Sequence, residues 1–245
     1  MVAGNWKSNG SQQSNQQLLV ELSELDQSAL RCTVVICPPS IYLSTAKEQL
    51  PSAVKLGAQN VSAFEQGAYT GEVSADMLRD TGCDYAIVGH SERRQLFNEQ
   101  DADVATKALR LLEHSITPIV CVGETLSERQ QGDSIAVVLA QLNALLNTLN
   151  SEQLAQIVVA YEPIWAIGTG ETASPEQAQA VHASIREWFR KQVGAAADQI
   201  TILYGGSVKS SNATELFAQA DIDGGLIGGA SLNAQEFYKI CNAAG

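Results

Sequence analysis

Eight short apolar, largely β-branched runs recur along the chain, near residues 2–5, 33–37, 55–59, 85–89, 117–122, 157–161, 200–204 and 225–227, with helical patterns between them. That alternation constrains the fold most tightly. Strands joined by helical crossovers run parallel, and a parallel sheet must be covered on both faces. The intervening segments carry covering stripes: Leu18, Leu19, Leu22 and Leu25; Val104, Ala108, Leu111 and Leu112; and Leu139, Leu142, Leu145, Leu146 and Leu149. Ser174-Pro-Glu-Gln177 signals a helix start through an N-cap, a proline at the first helical position and a capping-box Gln, ahead of Val181, Ile185, Trp188 and Phe189. Eight such units in 245 residues predict an α/β chain folded as an eightfold parallel (β/α)8 barrel. No Pro- or Ser-rich linker or composition shift divides it, so one domain over residues 1–245 is expected. A doubly wound open sheet is the alternative, but no Gly-x-Gly-x-x-Gly turn follows the first strand.

An apolar fraction of 45% is ample for a core of that size, and the longest apolar runs are too short to span a bilayer. The amino terminus reads straight into a strand without a basic, apolar leader. Five cysteines, Cys32, Cys37, Cys83, Cys121 and Cys241, lie without paired spacing, which fits reduced thiols in the cytoplasm better than a disulfide frame or a zinc site. No metal is expected. A formal net charge of −12 makes nucleic acid and anionic membrane surfaces poor partners, yet leaves room for a small anion that feels only the local field of a cleft.

In such a barrel the site forms at the carboxyl ends of the strands, so the residues there are read as neighbours. The first strand ends in Asn5, Trp6 and Lys7; the fourth in Gly89, His90, Ser91, Glu92, Arg93 and Arg94; the sixth in Glu162. Glycine pairs follow the seventh strand, Gly205-Gly206 before Ser207, and the eighth, Gly228-Gly229. The combination is a base, an electrophile and an anion cradle: backbone N–H groups freed by glycine bind oxyanions, and the last two strands are where such barrels commonly hold phosphate. After Glu162 the apolar loop 163–170 is bounded by Pro163 and by Gly168 and Gly170, as a lid with hinges would be; taken alone, it reads equally as an ordinary connection with a solvated carboxylate. His114 and His182 fall within helical patterns and are expected at the surface or rim. Cys121 is expected to pack as a small buried residue, and Trp6, Trp165 and Trp188 to serve packing or the lid.

Asn5-Trp-Lys7, Gly89-His-Ser-Glu-Arg93, Tyr161-Glu-Pro-Ile-Trp-Ala-Ile-Gly-Thr-Gly170, Tyr204-Gly-Gly-Ser-Val208 and Gly228-Gly-Ala-Ser231 together resemble the triosephosphate isomerases, in order and over the whole chain. The resemblance implies a TIM barrel that interconverts dihydroxyacetone phosphate and D-glyceraldehyde 3-phosphate through an enediol, in glycolysis and gluconeogenesis, with neither cofactor nor metal. It implies Glu162 as the base, His90, Asn5 and Lys7 as donors to the substrate oxygens, and the N–H groups of Gly168, Ser207, Gly228 and Gly229 as the phosphate cradle. Ile167 and Leu226 would enclose the carboxylate when the lid closes. A short helix opening at Ser91 would keep His90 neutral by its positive end, an arrangement already described for this family. Glu92 is expected near Lys7.

The loop 60–74 is too long for a simple connection and reads as an interaction arm. The resemblance implies that it docks into a twin subunit, Thr70 reaching the partner beside its Asn5 and Lys7 and Glu72 meeting an arginine that matches Arg93, which makes a twofold homodimer. Ser8, Ile164 and Glu171 depart from residues common in the family, and none removes a catalytic group. Three rivals remain: another barrel enzyme acting on a sugar phosphate, a Schiff-base aldolase using Lys7, and a catalytically inactive sugar-phosphate-binding relative on the same barrel.

Overall fold

The computed structural model describes residues 1–167 and 172–245. Among these, eight strands close into a barrel: β1 (Val2–Asn5), β2 (Val34–Cys37), β3 (Val54–Ala58), β4 (Tyr85–Val88), β5 (Thr117–Val122), β6 (Val158–Tyr161), β7 (Ile202–Tyr204) and β8 (Gly225–Ile227). All pairings are parallel and follow chain order. The ring is closed by β8 on β1, with Ala3 opposite Leu226. The fold is the (β/α)8 barrel that the strand–helix alternation predicts.

Strand alternation divides the apolar residues into two sets. Ala3, Val35, Cys37, Ile87, Ile119, Cys121, Val158, Ala160, Leu203 and Leu226 fill the barrel interior. The neighbouring positions, such as Val2, Ile36, Leu56, Val88 and Val159, point out and meet the helices. Each fully buried Val, Ile or Leu contributes about 1.5–3 kcal/mol by leaving water, so both faces hold the ring together.

The helices start and turn as their sequences require. Helix Gln12–Ser23 is capped by Ser11 and buries Leu18, Leu19 and Leu22, while Leu25 packs beyond its end. Helix Asp101–Glu113 buries Val104, Ala108 and Leu111. In helix Ser134–Leu145 the buried stripe is Val138, Leu142 and Leu145, continued by Leu149. Leu146 lies outside that stripe and is 41% exposed, because the helix ends at Leu145 and the chain turns there. Helix Pro175–Val193 opens as expected, with the Ser174 hydroxyl accepting the Gln177 N–H and the Gln177 side chain accepting the Ser174 N–H. Its inner face corrects one expectation. His182 is completely buried, one turn after Ala178 on the same side as Val181 and Ile185.

One buried cation ties this helix to the barrel. The Arg186 guanidinium donates to the carbonyls of Ala197 and Ile200 and pairs with Asp221 at 3.3 Å and Asp223 at 2.7 Å. Because Asp221 and Asp223 are themselves 18% and 37% exposed, removing either costs less than the about 3–5 kcal/mol of a fully buried pair. Asp223 also accepts the N–H of Ile202 at the start of β7, so the clamp positions the strand as well as the helix. No helix of the described residues is long and apolar enough to cross a membrane.

Candidate active site

The carboxyl ends of β1, β4, β6, β7 and β8 meet in a cavity of about 330 Å³. Asn5, Lys7, His90, Glu162, Ser207, Gly228 and Gly229 all line it, together with Ile167 and Leu226. These residues, named from the strand ends, share one cavity. Gly168, Gly170 and Glu171 lie outside the described residues.

Lys7 enters the site on a strained backbone. Its φ of 52° is left-handed, which a side chain with a Cβ rarely adopts without support. The support comes from two side chains: the Asn5 carbonyl oxygen accepts the Lys7 N–H at 3.0 Å, and the Gln59 amide donates to the Lys7 carbonyl at 2.9 Å. With its oxygen committed to Lys7, Asn5 has its amide N–H groups left to offer. The Lys7 ammonium pairs with Glu92 at 2.6 Å, and the lysine chain passes beside Gly228.

His90 is placed by the turn after β4. Gly89 takes φ 71°, its N–H donates to the buried Glu99 carboxylate at 3.1 Å, and its carbonyl accepts from Arg94 at 2.7 Å. His90 then caps helix Ser91–Leu96, its Nδ1 accepting the Glu92 N–H at 3.2 Å. A backbone N–H can only donate, so Nδ1 carries a lone pair and the proton of the neutral ring sits on Nε2. That nitrogen faces Glu162 Oε1 at 2.9 Å. Burial pushes the ring towards neutrality, and the carboxylates of Glu162 and, more weakly, Glu92 together outweigh it and hold the His90 pKa above its ordinary value. The Glu92 N–H opposes protonation, since an imidazolium would need that same Nδ1.

Glu162 is 2% exposed at the end of β6. Its second oxygen accepts the Ser91 N–H at 2.8 Å. Room for it comes from missing side chains: a Cβ on Gly205 would meet the Glu162 side chain at 2.9 Å, and one on Gly123 would collide with its carbonyl. The start of the following loop is anchored by Glu124, a fully buried carboxylate after β5. It accepts from the Tyr161 hydroxyl at 3.1 Å and the Trp165 indole at 3.0 Å, while its backbone carbonyl accepts the Ile164 N–H. Arg129 stacks over the Trp165 ring with 4.4 Å to its centroid. Cys121 packs inside the barrel as expected, and burial, with Glu162 beside it, pushes its thiol pKa well up.

The anion end of the cavity is backbone. Gly228 leads into the helical turn Gly229–Leu232, and a Cβ on Gly229 would meet nothing within 4 Å, so the approach to its N–H is open. A base, two oxygen donors, a cation and a backbone cradle within one small cavity suit proton abstraction next to a carbonyl on a phosphorylated substrate.

Comparison with known proteins agrees. The family described as triosephosphate isomerase matches residues 1–244. The chain belongs to that family. Proteins named triosephosphate isomerase from Ralstonia nicotianae and Alcanivorax borkumensis are 56% and 53% identical to it, over 99% and 100% of this chain and 98% of theirs. A third, from Nitrosomonas europaea, is 54% identical over 99% of this chain and 97% of its own. Within this family member, sequence reading missed Gln59, Glu99 and Glu124. Each acts through a neighbour's backbone or side chain and does not itself line the cavity. The one available signal was a polar side chain within or next to an apolar strand end, as at Ala58-Gln59 and Gly123-Glu124.

Proposed function

We propose that the chain, as one barrel domain over residues 1–245, interconverts dihydroxyacetone phosphate and D-glyceraldehyde 3-phosphate, with Glu162 as the base and His90, Asn5 and Lys7 as donors to the substrate oxygens. The observation that carries the assignment of roles is the shared position of Glu162. Its carboxylate rests on the Ser91 N–H and on His90 Nε2, and both donors weaken it as a base. Moving off them towards the cavity frees the lone pairs to take a proton from carbon and releases the Nε2–H of His90 to the developing enediolate. One displacement thus arms base and electrophile together. Ile167 and Leu226 line the side on which the carboxylate would lose water, which raises its basicity further.

The phosphate is held by the N–H groups of Ser207, Gly228 and Gly229, with Gly168 as a further donor and the Lys7 charge close by. Binding energy from this remote group is available to hold the reacting carbons against Glu162.

The same reading makes the protein a homodimer through the arm 60–74, acting in the cytoplasm. Two features support the pairing. Ser62 and Val73 tie the base of the arm together, while its outer part leaves Phe64 52% and Tyr69 43% exposed, their rings stacked 4.2 Å apart. Beside the first cavity lies a second of about 360 Å³, lined by Asn5, Lys7, Gln59, Arg93 and Phe97 among others, which is room for a partner's arm.

The test is hydrogen exchange at carbon one of dihydroxyacetone phosphate in deuterated water, for the wild type and Glu162→Asp, on preparations whose mass is measured by light scattering. Wild type is expected to exchange and isomerise as a dimer, and the shortened carboxylate to lose roughly 100-fold or more of the rate, the scale of a misplaced general base. A folded wild type that does neither returns the chain to the inactive phosphate-binding alternative, and a monomeric mass removes the dimer.

A further inference from the structure

Two lysines line the cavity, and they differ in what they are bound to. Lys7 is paired with Glu92 at 2.6 Å, and Glu162 puts a carboxylate into the same lining. Lys209 lines the cavity on the side of Gly205, Gly206 and Ser207, is exposed, and has no carboxylate of the described residues within 4.0 Å of its ammonium.

Its place in the chain is costly for a cation. Lys209 is the N-cap of helix Ser210–Phe217 and makes no side-chain capping bond, since an ammonium has no lone pair to offer. The positive end of the helix repels it, where Asn, Asp or Ser would stabilise the start. The helix start is held without it: Glu236 accepts both the N–H and the hydroxyl of Ser210, and Asn212 accepts the Lys209 backbone N–H at 2.8 Å. A side chain that breaks a local rule, makes no capping hydrogen bond and lines the site is the kind retained for function.

We propose that Lys209 is an anion-capture residue: its ammonium meets the substrate's phosphate at the mouth of the cavity and guides it onto the backbone cradle of Ser207, Gly228 and Gly229. The inference rests on the isomerase reading above and adds a residue to it. In a chain of net charge −12 the far field repels a dianion, so an exposed cation at the entrance, with Glu236 near enough to be felt but beyond 4.0 Å, makes the local field more favourable to it. Lys209 touches the anion, not the reacting carbons, and therefore acts on capture rather than on the proton transfer.

The experiment compares wild type, Lys209→Asn, Lys209→Glu and Lys209→Arg. Isomerase kinetics are measured at about 20 mM and about 300 mM ionic strength, where screening differs severalfold, with thermal unfolding and calorimetric binding of inorganic phosphate alongside. Lys209→Asn is expected to lower kcat/KM about 5- to 10-fold at low ionic strength, the lower end of electrostatic steering effects, with kcat within about 2-fold. The gap closes as salt rises, Lys209→Glu loses more, and Lys209→Arg keeps the wild-type rate. Lys209→Asn is also expected to melt no lower than wild type, so activity and stability move apart. Wild-type kcat/KM in Lys209→Asn at low salt, or a loss that salt leaves unchanged, overturns the proposal. If wild type itself does not isomerise, it is the isomerase reading that fails. Phosphate binding then decides for Lys209: weaker, salt-dependent binding in Lys209→Asn supports capture, and equal binding overturns it.

Discussion

Two histidines lie buried about equally deep in this barrel, and their surroundings treat them in opposite ways. His90, at the mouth, has Glu162 Oε1 2.9 Å from Nε2, and that carboxylate lifts its pKa against the effect of burial. His182, between helix Pro175–Val193 and the outside of the sheet, donates from Nδ1 to the Asp221 carbonyl at 3.0 Å, and its Nε2 has no hydrogen-bond partner among the described residues. Tyr161 meets its ring edge-on with 5.7 Å between centroids. Burial dominates there and pushes its pKa down to about 4, the Asp221 carbonyl opposing only in part. Burial sets the cost of a charge; whether the second nitrogen finds an acceptor decides whether the cost is met. The neutral tautomers differ accordingly, Nε2–H at the site and Nδ1–H in the outer layer.

The largest effect that separates the two is on rate. His90→Ala, which removes the Nε2–H, is expected to lower kcat about 100- to 1000-fold, the usual cost of losing a donor aimed at a developing oxyanion. His182→Gln should keep kcat within about 2-fold, as expected of a residue remote from the reacting atoms. Steady-state kinetics on both variants, matched for folding by circular dichroism, checks this. Equal losses would mean that the outer histidine shapes the site after all.

The next effect is on acid stability. Unfolded chain takes up a proton at His182 near pH 6.5, whereas the folded chain resists until about pH 4. The stability carried by the neutral ring is therefore complete above pH 6.5 and is lost as pH falls towards 4. Over that window the loss is about 3 kcal/mol, at about 1.4 kcal/mol per tenfold difference in proton affinity. Urea unfolding at fixed protein concentration is expected to show a steeper fall in stability for wild type than for His182→Gln. Because slopes are compared, a constant offset caused by the substitution does not matter. Parallel slopes would place the acid sensitivity elsewhere.

The sequence carried the barrel and the strand-tip residues because both depend on local pattern. Strand period and helix caps are written in neighbouring residues, and Asn5, Lys7, His90 and Glu162 each follow an apolar run that ends at a known face of the fold. His182 was misplaced for a reason of the same kind. A histidine among Ala178, Val181 and Ile185 reads as a polar break in a stripe, and only closure of the ring puts a backbone carbonyl of Asp221 in front of it. Leu146 shows the converse, an apolar residue in register that the end of its helix turns outward. Gln59 and Glu124 carried only a weak signal because each meets a partner from another βα unit, Lys7 and Trp165, whereas Glu99 folds back on Gly89 within its own unit. Glu99 lies closest in sequence to its partner, yet its grip depends on Lys107 from the next helix.

The smallest effect probes what holds His90 apart from His182. Glu162→Gln keeps the shape of the side chain and removes its charge, so the larger of the attractions that raise the His90 pKa is lost while burial stays. The hydrogen bonds push the same way. A Gln has one acceptor oxygen, and Ser91 N–H and His90 Nε2–H both need it. If the oxygen stays on Ser91, the amide NH₂ faces Nε2, which must then present a lone pair, while the Glu92 N–H asks the same of Nδ1. If the oxygen turns to His90, the buried Ser91 N–H is left unpaired. Neither arrangement accommodates an imidazolium better than the carboxylate does. His90 is therefore expected to titrate at lower pH in Glu162→Gln than in wild type, followed through its ring resonances by NMR, while His182 stays where it is. A His90 titration that remains in place would mean that the Ser91–Glu92 turn, rather than Glu162, sets the charge of the ring.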